Sequence, residues 1–242
     1  MNVNTFGSVN FPGTVEGITA VGDPLINDGT STFVFSNDPN LAGTTVSTTQ
    51  GTYVFCFAIG TRIATPDGAR PVETLAIGDP VLTAEGREVP VTWVGRQTVH
   101  KLFTPAERFE PVRVHAGALG NGLPHSDLVP TTDHTLILDG LAICAGALVN
   151  GTTITRVSKA DLPERVTYYH VETEGHEIIL AEGAPAETFI DYVARRGFEN
   201  YAEYVELYGE ERTIPEKRLP RISAARLVPP AIRERLSGKA AA

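Results

Sequence analysis

The sequence has few of the residues that stabilise small disulfide-rich scaffolds or build thiolate metal sites. Its 242 residues include only two cysteines, Cys56 and Cys144. Two thiols cannot form a disulfide-dense scaffold, and they exclude a zinc site made of four cysteines. A Cys56–Cys144 disulfide remains an alternative, although a lone cysteine is most often a small buried apolar residue. Cys144 lies in the apolar run Leu141-Ala142-Ile143-Cys144-Ala145 and fits that second interpretation.

Long apolar runs and an excess of basic residues are also missing. No apolar stretch approaches the roughly 20 residues that a membrane-spanning helix needs. The formal net charge of −9 argues against nucleic-acid binding by the whole chain, because that binding rests on basic residues that contact phosphates. The N-terminal residues lack the basic start and apolar core of a standard signal peptide. The compartment therefore stays open, and secretion would need a leaderless route.

The first part of the chain has no basic residue, because no Lys or Arg occurs before Arg62. Residues 1–55 are rich in Thr, Ser, Asn and Gly, with short alternating runs such as Thr32-Phe33-Val34-Phe35. This composition predicts a low-charge N-terminal leader that either holds a few β strands or is loosely ordered. We therefore place a domain boundary at residue 55.

Residues 56–190 consist of short β-type runs separated by turn residues. About ten to twelve such runs predict one compact all-β domain. The clearest hairpin has two apolar arms, residues 135–138 and 141–144, around Asp139-Gly140. An Asp-Gly pair accepts the positive φ angles of a type I′ turn.

The pattern changes in residues 191–242. Aromatic and apolar residues recur at helical spacing between Phe198 and Tyr208, and Gly209 is suited to end a helix there. The rest of this extension is basic and interrupted by prolines. We expect a partly helical, solvated tail that packs on the acidic domain, with a membrane- or nucleic-acid-binding tail as the alternative.

Cys56 is placed where a thiol can attack the peptide bond that precedes it. It follows the strand-like run Tyr53-Val54-Phe55 and opens the β domain. Cleavage at Phe55–Cys56 also needs a group that protonates the leaving nitrogen and donors that stabilise the oxyanion. His134 suits the proton transfer because imidazole titrates near neutrality. A hydroxyl three residues earlier, on Thr131, can bind the scissile amide.

Three ordered blocks of the sequence resemble the Hint family, the self-processing module shared by hedgehog proteins and inteins. The first block runs from Cys56 to Thr83 and contains Gly60-Thr61 and Gly78-Asp79. The second is the T-x-x-H of residues 131–134, and the third covers residues 169–183. In detail, the sequences of these three blocks are most similar to those of bacterial Hint-type proteins. The resemblance spans residues 56–190 and implies the compact Hint β fold and a reaction without cofactor or metal.

The resemblance also implies roles for five residues. Cys56 would be the nucleophile of an N-to-S acyl shift, and Thr131 and His134 would position and protonate the scissile amide. His170 stands where inteins often carry an aspartate, so its role is open. His176 matches the late histidine that assists C-terminal cleavage in inteins.

One departure from the intein pattern decides the expected outcome. Inteins end the late block with His-Asn, whereas this chain reads Ala186-Glu187-Thr188-Phe189. Without an asparagine that can cyclise, full splicing is not expected. The implied reaction is a single-turnover self-cleavage with the chain's own N-terminal segment as substrate. Water or a small nucleophile would release the thioester, and the sterol transfer of hedgehog proteins does not carry over.

Two alternatives to self-cleavage stay open at this point. The domain could be a non-processing Hint-like fold that serves as a secreted binding or assembly module. A zinc site built from the histidines with a cysteine is the third hypothesis.

Overall fold

The computed structural model divides the chain into two units, Met1–Thr52 and Tyr53–Ala242. It describes residues 14–19, 24–27, 32–34, 48–49, 55–101, 110–190 and 195–237. Tyr53 and Val54, which we expected to lead a strand into Cys56, lie outside the described residues.

The first unit holds the strands predicted for the leader. They are β1 (Thr14–Thr19), β2 (Pro24–Asn27), β3 (Thr32–Val34) and β4 (Thr48–Thr49). These strands form one antiparallel sheet in the order β3-β2-β1-β4.

The second unit is built almost entirely from short strands, which confirms the all-β prediction. Its strands up to residue 187 are β5 (Phe57–Ala58), β6 (Arg62–Thr65), β7 (Gly68–Pro71), β8 (Pro80–Leu82), β9 (Glu88–Pro90), β10 (Trp93–His100), β11 (Val112–Val114), β12 (Thr135–Leu138), β13 (Leu141–Cys144), β14 (Ile154–Arg156), β15 (Arg165–Glu172), β16 (Ile178–Ala181) and β17 (Ala184–Glu187). These thirteen described strands slightly exceed the ten to twelve that the sequence predicts. The extension adds β18 (Arg221–Ile222) and the helices α1 (Tyr201–Tyr208) and α2 (Pro230–Leu236).

Two sheets position the site. The larger has seven strands in the order β18-β13-β12-β17-β16-β6-β7, and the smaller has the order β10-β15-β5. In the smaller sheet β10 and β15 pair over their full length, from Trp93 opposite Glu172 to His100 opposite Arg165. Strand β5 joins the other edge of β15, opposite Tyr168 and Tyr169, so Cys56 lies just before an edge strand of this sheet.

The hairpin predicted at Asp139-Gly140 is confirmed. Leu138 pairs with Leu141, and the φ angles of Asp139 and Gly140 are 51° and 75°. Two positive φ angles are what a type I′ turn requires. The hairpin places the T-x-x-H segment, which directly precedes β12, beside the centre of the larger sheet.

The C-terminal extension packs on the domain as expected, and α1 ends before Gly209. The prediction of a solvated tail does not hold for the apolar residues of the extension, however, because several of them are buried. Strand β18 pairs in parallel with β13, and Ile232 and Leu236 of α2 enter the main core. Burial of these side chains makes the extension an integral part of the unit. Neither described helix has the length and apolarity needed to cross a bilayer.

Candidate functional site

Cys56 and Thr131 are joined by two reciprocal hydrogen bonds. The Cys56 amide donates to Thr131 Oγ1 at 3.0 Å, and the Thr131 amide donates to the Cys56 carbonyl at 2.9 Å. A β-bridge between Phe57 and Pro130 aligns the two segments. Both residues are buried. The hydroxyl predicted to bind the scissile amide is therefore bonded to the nitrogen of the Phe55–Cys56 peptide.

His134 lies one turn after Thr131, and its ring is buried against Phe57. Its amide donates to the Thr131 carbonyl at 3.1 Å, and the two rings have centroids 4.2 Å apart. Burial lowers the pKa of His134 to about 4, and the nearby backbone of Phe55 opposes that shift. Neither ring nitrogen makes a hydrogen bond of standard geometry with a described residue. The imidazole is thus neutral at pH 7 and close to the backbone of the residue that carries the scissile carbonyl.

His170 adjoins this group from strand β15. Its ring centroid lies 5.5 Å from that of His134 and 5.3 Å from that of Phe189. Burial first and the His134 ring second hold the pKa of His170 well below its ordinary value, with the Thr188 backbone opposing. The structure therefore brings four of the residues singled out in the sequence into one buried neighbourhood: Cys56, Thr131, His134 and His170.

The Cys56 side chain is completely buried, and burial raises the pKa of its thiol well above the ordinary value. At neutral pH it is a thiol rather than a thiolate, so attack on a carbonyl needs a base. Both Cys56 and Cys144 are free, which excludes the disulfide alternative in this structure. The Cys56 thiol is thus not consumed by a disulfide.

His176 belongs to a different set of contacts. Its Nδ1 accepts from the Lys217 amide at 3.1 Å, and its Nε2 lies 3.6 Å from Glu187 Oε1. Glu187 forms a two-pronged ion pair with Arg221, at 3.0 and 2.8 Å. Burial lowers the pKa of His176, and the Glu187 carboxylate opposes this. Its described partners are thus Lys217 and Glu187, and not Cys56.

Sequence reasoning missed a buried ion cluster beside the histidines. Glu172 accepts from Arg195 Nε at 2.7 Å and from Arg212 Nη2 at 3.1 Å, and its side chain has no exposed surface. Glu172 lies two residues after His170 on β15, so both side chains share one face. The alternation of Tyr168, His170 and Glu172 was the signal that could have indicated this.

The histidines and cysteines do not assemble a metal site in the part of the chain that the structure describes. No group of three or more His, Cys, Asp or Glu side chains in those ranges is suited to hold an ion. The zinc hypothesis therefore gains no support from the described residues.

Comparisons with known proteins found one domain family and several solved structures to which this chain is similar. The profile of the Hint domain family matches residues 55–193. The structure is similar to that of the MchDnaB-1 intein, with 19% identity, coverage of 54% of this chain and 98% of that chain, and a TM-score of 0.40. A bacterial intein-like domain from Clostridium thermocellum gives 17% identity, 56% and 99% coverage, and a TM-score of 0.40. No curated protein matches the sequence.

Proposed function

The chain belongs to the Hint domain family, whose fold is that of self-processing domains, and from this premise we propose that it cleaves itself at Phe55–Cys56. The reaction is an N-to-S acyl shift with Cys56 as the nucleophile. The observation that carries this proposal is the hydrogen bond from the scissile amide to Thr131 Oγ1 at 3.0 Å. A bond to that nitrogen fixes the orientation of the peptide that the thiol must attack.

The first step exchanges one acyl bond for another. The sulfur of Cys56 attacks the Phe55 carbonyl carbon, and the thiol proton passes to the neutral imidazole of His134. The tetrahedral intermediate then collapses as the C–N bond breaks, and the imidazolium returns the proton to the departing Cys56 nitrogen. The products are a thioester between Phe55 and the Cys56 sulfur and a free α-amino group on Cys56.

The electrostatics of the buried site suit His134 to this exchange. Its pKa of about 4 leaves the ring unprotonated at pH 7, so it can accept the thiol proton. The resulting imidazolium is unstable in a desolvated pocket and therefore a strong acid toward the leaving nitrogen. His170, 5.5 Å away between ring centroids, adds a second neutral imidazole to the same pocket.

The reaction stops after one junction. The stretch Ala186-Glu187-Thr188-Phe189 corresponds to the His-Asn end of inteins and contains no asparagine, and its Glu187 carboxylate is held by Arg221 at 2.8 Å. A carboxylate in an ion pair is a poor nucleophile and offers no carboxamide nitrogen for cyclisation. The thioester is therefore released by water or a small nucleophile, and residues 1–55 leave without ligation to another segment.

Intact mass spectrometry of freshly expressed protein tests this function. We expect a fragment that begins at Cys56 and a second that ends at Phe55, with faster cleavage in dithiothreitol because a thiol captures the thioester. Cys56→Ala is expected to abolish cleavage, and His134→Ala to slow it severely. Cys144→Ser is the matched control and should cleave normally. Cleavage that survives Cys56→Ala would overturn the proposal.

A non-processing binding or assembly module is the second candidate. It is favoured by the complete burial of Cys56, which raises the pKa of the thiol and hides it from solvent. A chain that stays intact after prolonged treatment with dithiothreitol at pH 7 would support this candidate instead of self-cleavage.

A further inference from the structure

The apolar cluster around Cys56 is completed by residues that follow the matched domain. Cys56 and Tyr168 pack in one cluster with Phe198, Tyr204 and Ile214. All five side chains are buried, and Cys56 has no exposed surface. We call residues 195–214 the cap, because Phe198, Tyr204 and Ile214 of this segment belong to the apolar cluster in which Cys56 is buried.

A glycine on β10 lets the cap pack closely against the sheet that β10 forms with β15. Gly95 lies opposite His170 in the pairing of β10 with β15. A Cβ at Gly95 would stand 2.7 Å from Phe198 Cδ1 and 2.8 Å from Trp93 Cζ3, well inside van der Waals contact. The Phe198 ring centroid lies 6.3 Å from that of His170. The missing side chain therefore lets the cap approach closely over the histidine.

Two arginines that bind one buried carboxylate hold both ends of the cap. Arg195 and Arg212 bind the same carboxylate, Glu172, at 2.7 and 3.1 Å. The Arg195 guanidinium also lies 4.4 Å from the Phe189 ring centroid and 4.7 Å from that of Tyr204. Opening the cap would leave a buried carboxylate without its partners, which is strongly unfavourable. The cap is thus fixed to the face of β15 that carries His170.

We infer that the cap keeps water away from the Cys56 thioester, so that Phe198 and Tyr204 determine how fast it hydrolyses and which nucleophile captures it. This inference rests on the proposed acyl shift. Hydrolysis adds water across the thioester, giving a Phe55 carboxylate and the Cys56 thiol. A closed apolar wall slows this hydrolysis, because the reactive intermediate lasts longer where solvent is excluded. A nucleophile too large to pass the closed cap then reaches the thioester only when the cap opens.

The first test measures access to Cys56 without relying on cleavage. In a Cys144→Ser, His134→Ala chain, Cys56 is the single thiol and stays uncleaved long enough to be labelled with N-ethylmaleimide. We expect Phe198→Ala to label at least about tenfold faster than this parent, since solvent reaches the thiol. Leu207→Ala is the matched control, because this side chain of α1 is 54% exposed. Equal labelling of the parent and Phe198→Ala would overturn the inference.

The second test follows the fate of the thioester in the His134-containing chain with a fixed concentration of dithiothreitol. Phe198→Ala should raise the ratio of fragment 1–55 with a free carboxylate to fragment 1–55 carried on dithiothreitol. If Phe198→Ala fails to fold, Arg212→Met serves, because it removes one ion pair from a side chain that is 37% exposed. An unchanged ratio in a cleaving chain overturns the cap and leaves self-cleavage standing. Faster labelling in the first test together with no cleavage of the His134-containing chain overturns the acyl shift, and the thioester role of the cap falls with it.

Discussion

The hydroxyl of Thr131 accepts the amide hydrogen of Cys56 at 3.0 Å, across 75 residues of sequence. The return bond, from the Thr131 amide to the Cys56 carbonyl, fixes the same two residues from the other side. One short turn further on, the ring of His134 lies beside Phe57. The peptide that would be cut is therefore held by the hydroxyl of a turn that also carries the imidazole of His134.

Thr131→Val tests the importance of that hydroxyl. The substitution keeps the side-chain shape but leaves the Cys56 amide hydrogen buried without an acceptor. We expect a loss of about 1–3 kcal/mol in the free energy of unfolding. Cleavage should slow by about 100-fold because the scissile peptide loses its orientation. Thr131→Ser restores the acceptor and should cleave near the parent rate. Fragment yields against time on denaturing gels and urea unfolding measure both effects, and a normal cleavage rate in Thr131→Val would contradict the assignment.

Stability should depend on pH through His134. Its folded pKa of about 4 lies below the ordinary 6.5, so between these values the unfolded chain binds a proton that the folded chain does not. The contribution to stability is therefore complete above pH 6.5 and is lost as the pH falls toward 4, by about 3 kcal/mol. Urea unfolding of the Cys56→Ala chain between pH 7.5 and 4 measures this.

The matched variant for that measurement is Cys56→Ala with His134→Gln, which cannot titrate at residue 134. Its stability should fall less steeply over the same pH range, and the difference between the two curves isolates His134. Parallel curves would show that His134 is as protonated in the folded chain as in the unfolded one. That outcome would contradict the lowered pKa of His134 on which its strength as an acid toward the leaving nitrogen rests.

The ion pair between Arg221 and Glu187 should stabilise the extension. Arg221→Met leaves a carboxylate that is only 6% exposed without its partner and loosens β18. We expect a loss of about 2 kcal/mol, seen as a lower urea midpoint with an unchanged slope. Arg87→Met is the control, because the Arg87–Glu85 pair is more than half exposed on both sides and should contribute less than about 1 kcal/mol. Equal losses in the two variants would contradict a structural role for Glu187.

The parts of the fold that could be predicted are those in which local chemistry decides. The Asp139-Gly140 turn fixes its hairpin because two residues accept positive φ angles there. Likewise, a hydroxyl and an imidazole three residues apart suit one turn, and the structure places both beside Cys56. The roles of these side chains in catalysis stay predictions, as does the role of His176.

The arrangement of the extension could not be predicted, because it depends on contacts between distant parts of the chain. Asn200 binds Arg96 and Val94 across more than 100 residues, with its carbonyl accepting from one backbone and its amide donating to the other. The pairing of Arg195 with Glu172 likewise has no local pattern. A basic sequence interrupted by prolines predicts exposed side chains. Arg195 is buried instead, because the folded domain brings the buried carboxylate of Glu172 next to it.

Gly95→Ala should disturb the cap without touching any residue proposed to react. Its new methyl would meet Phe198 Cδ1 at 2.7 Å and Trp93 Cζ3 at 2.8 Å, so a ring must move. Overpacking of this kind costs about 1–3 kcal/mol, and we expect that loss in urea unfolding together with faster amide hydrogen exchange in α1. The double variant Gly95→Ala, Phe198→Ala should lose less stability than the sum of the two single losses, since the smaller side chain at residue 198 leaves room for the methyl. If the loss in the double variant equals or exceeds that sum, then Gly95 does not make room for Phe198. The close approach of the cap to His170 would then have another cause.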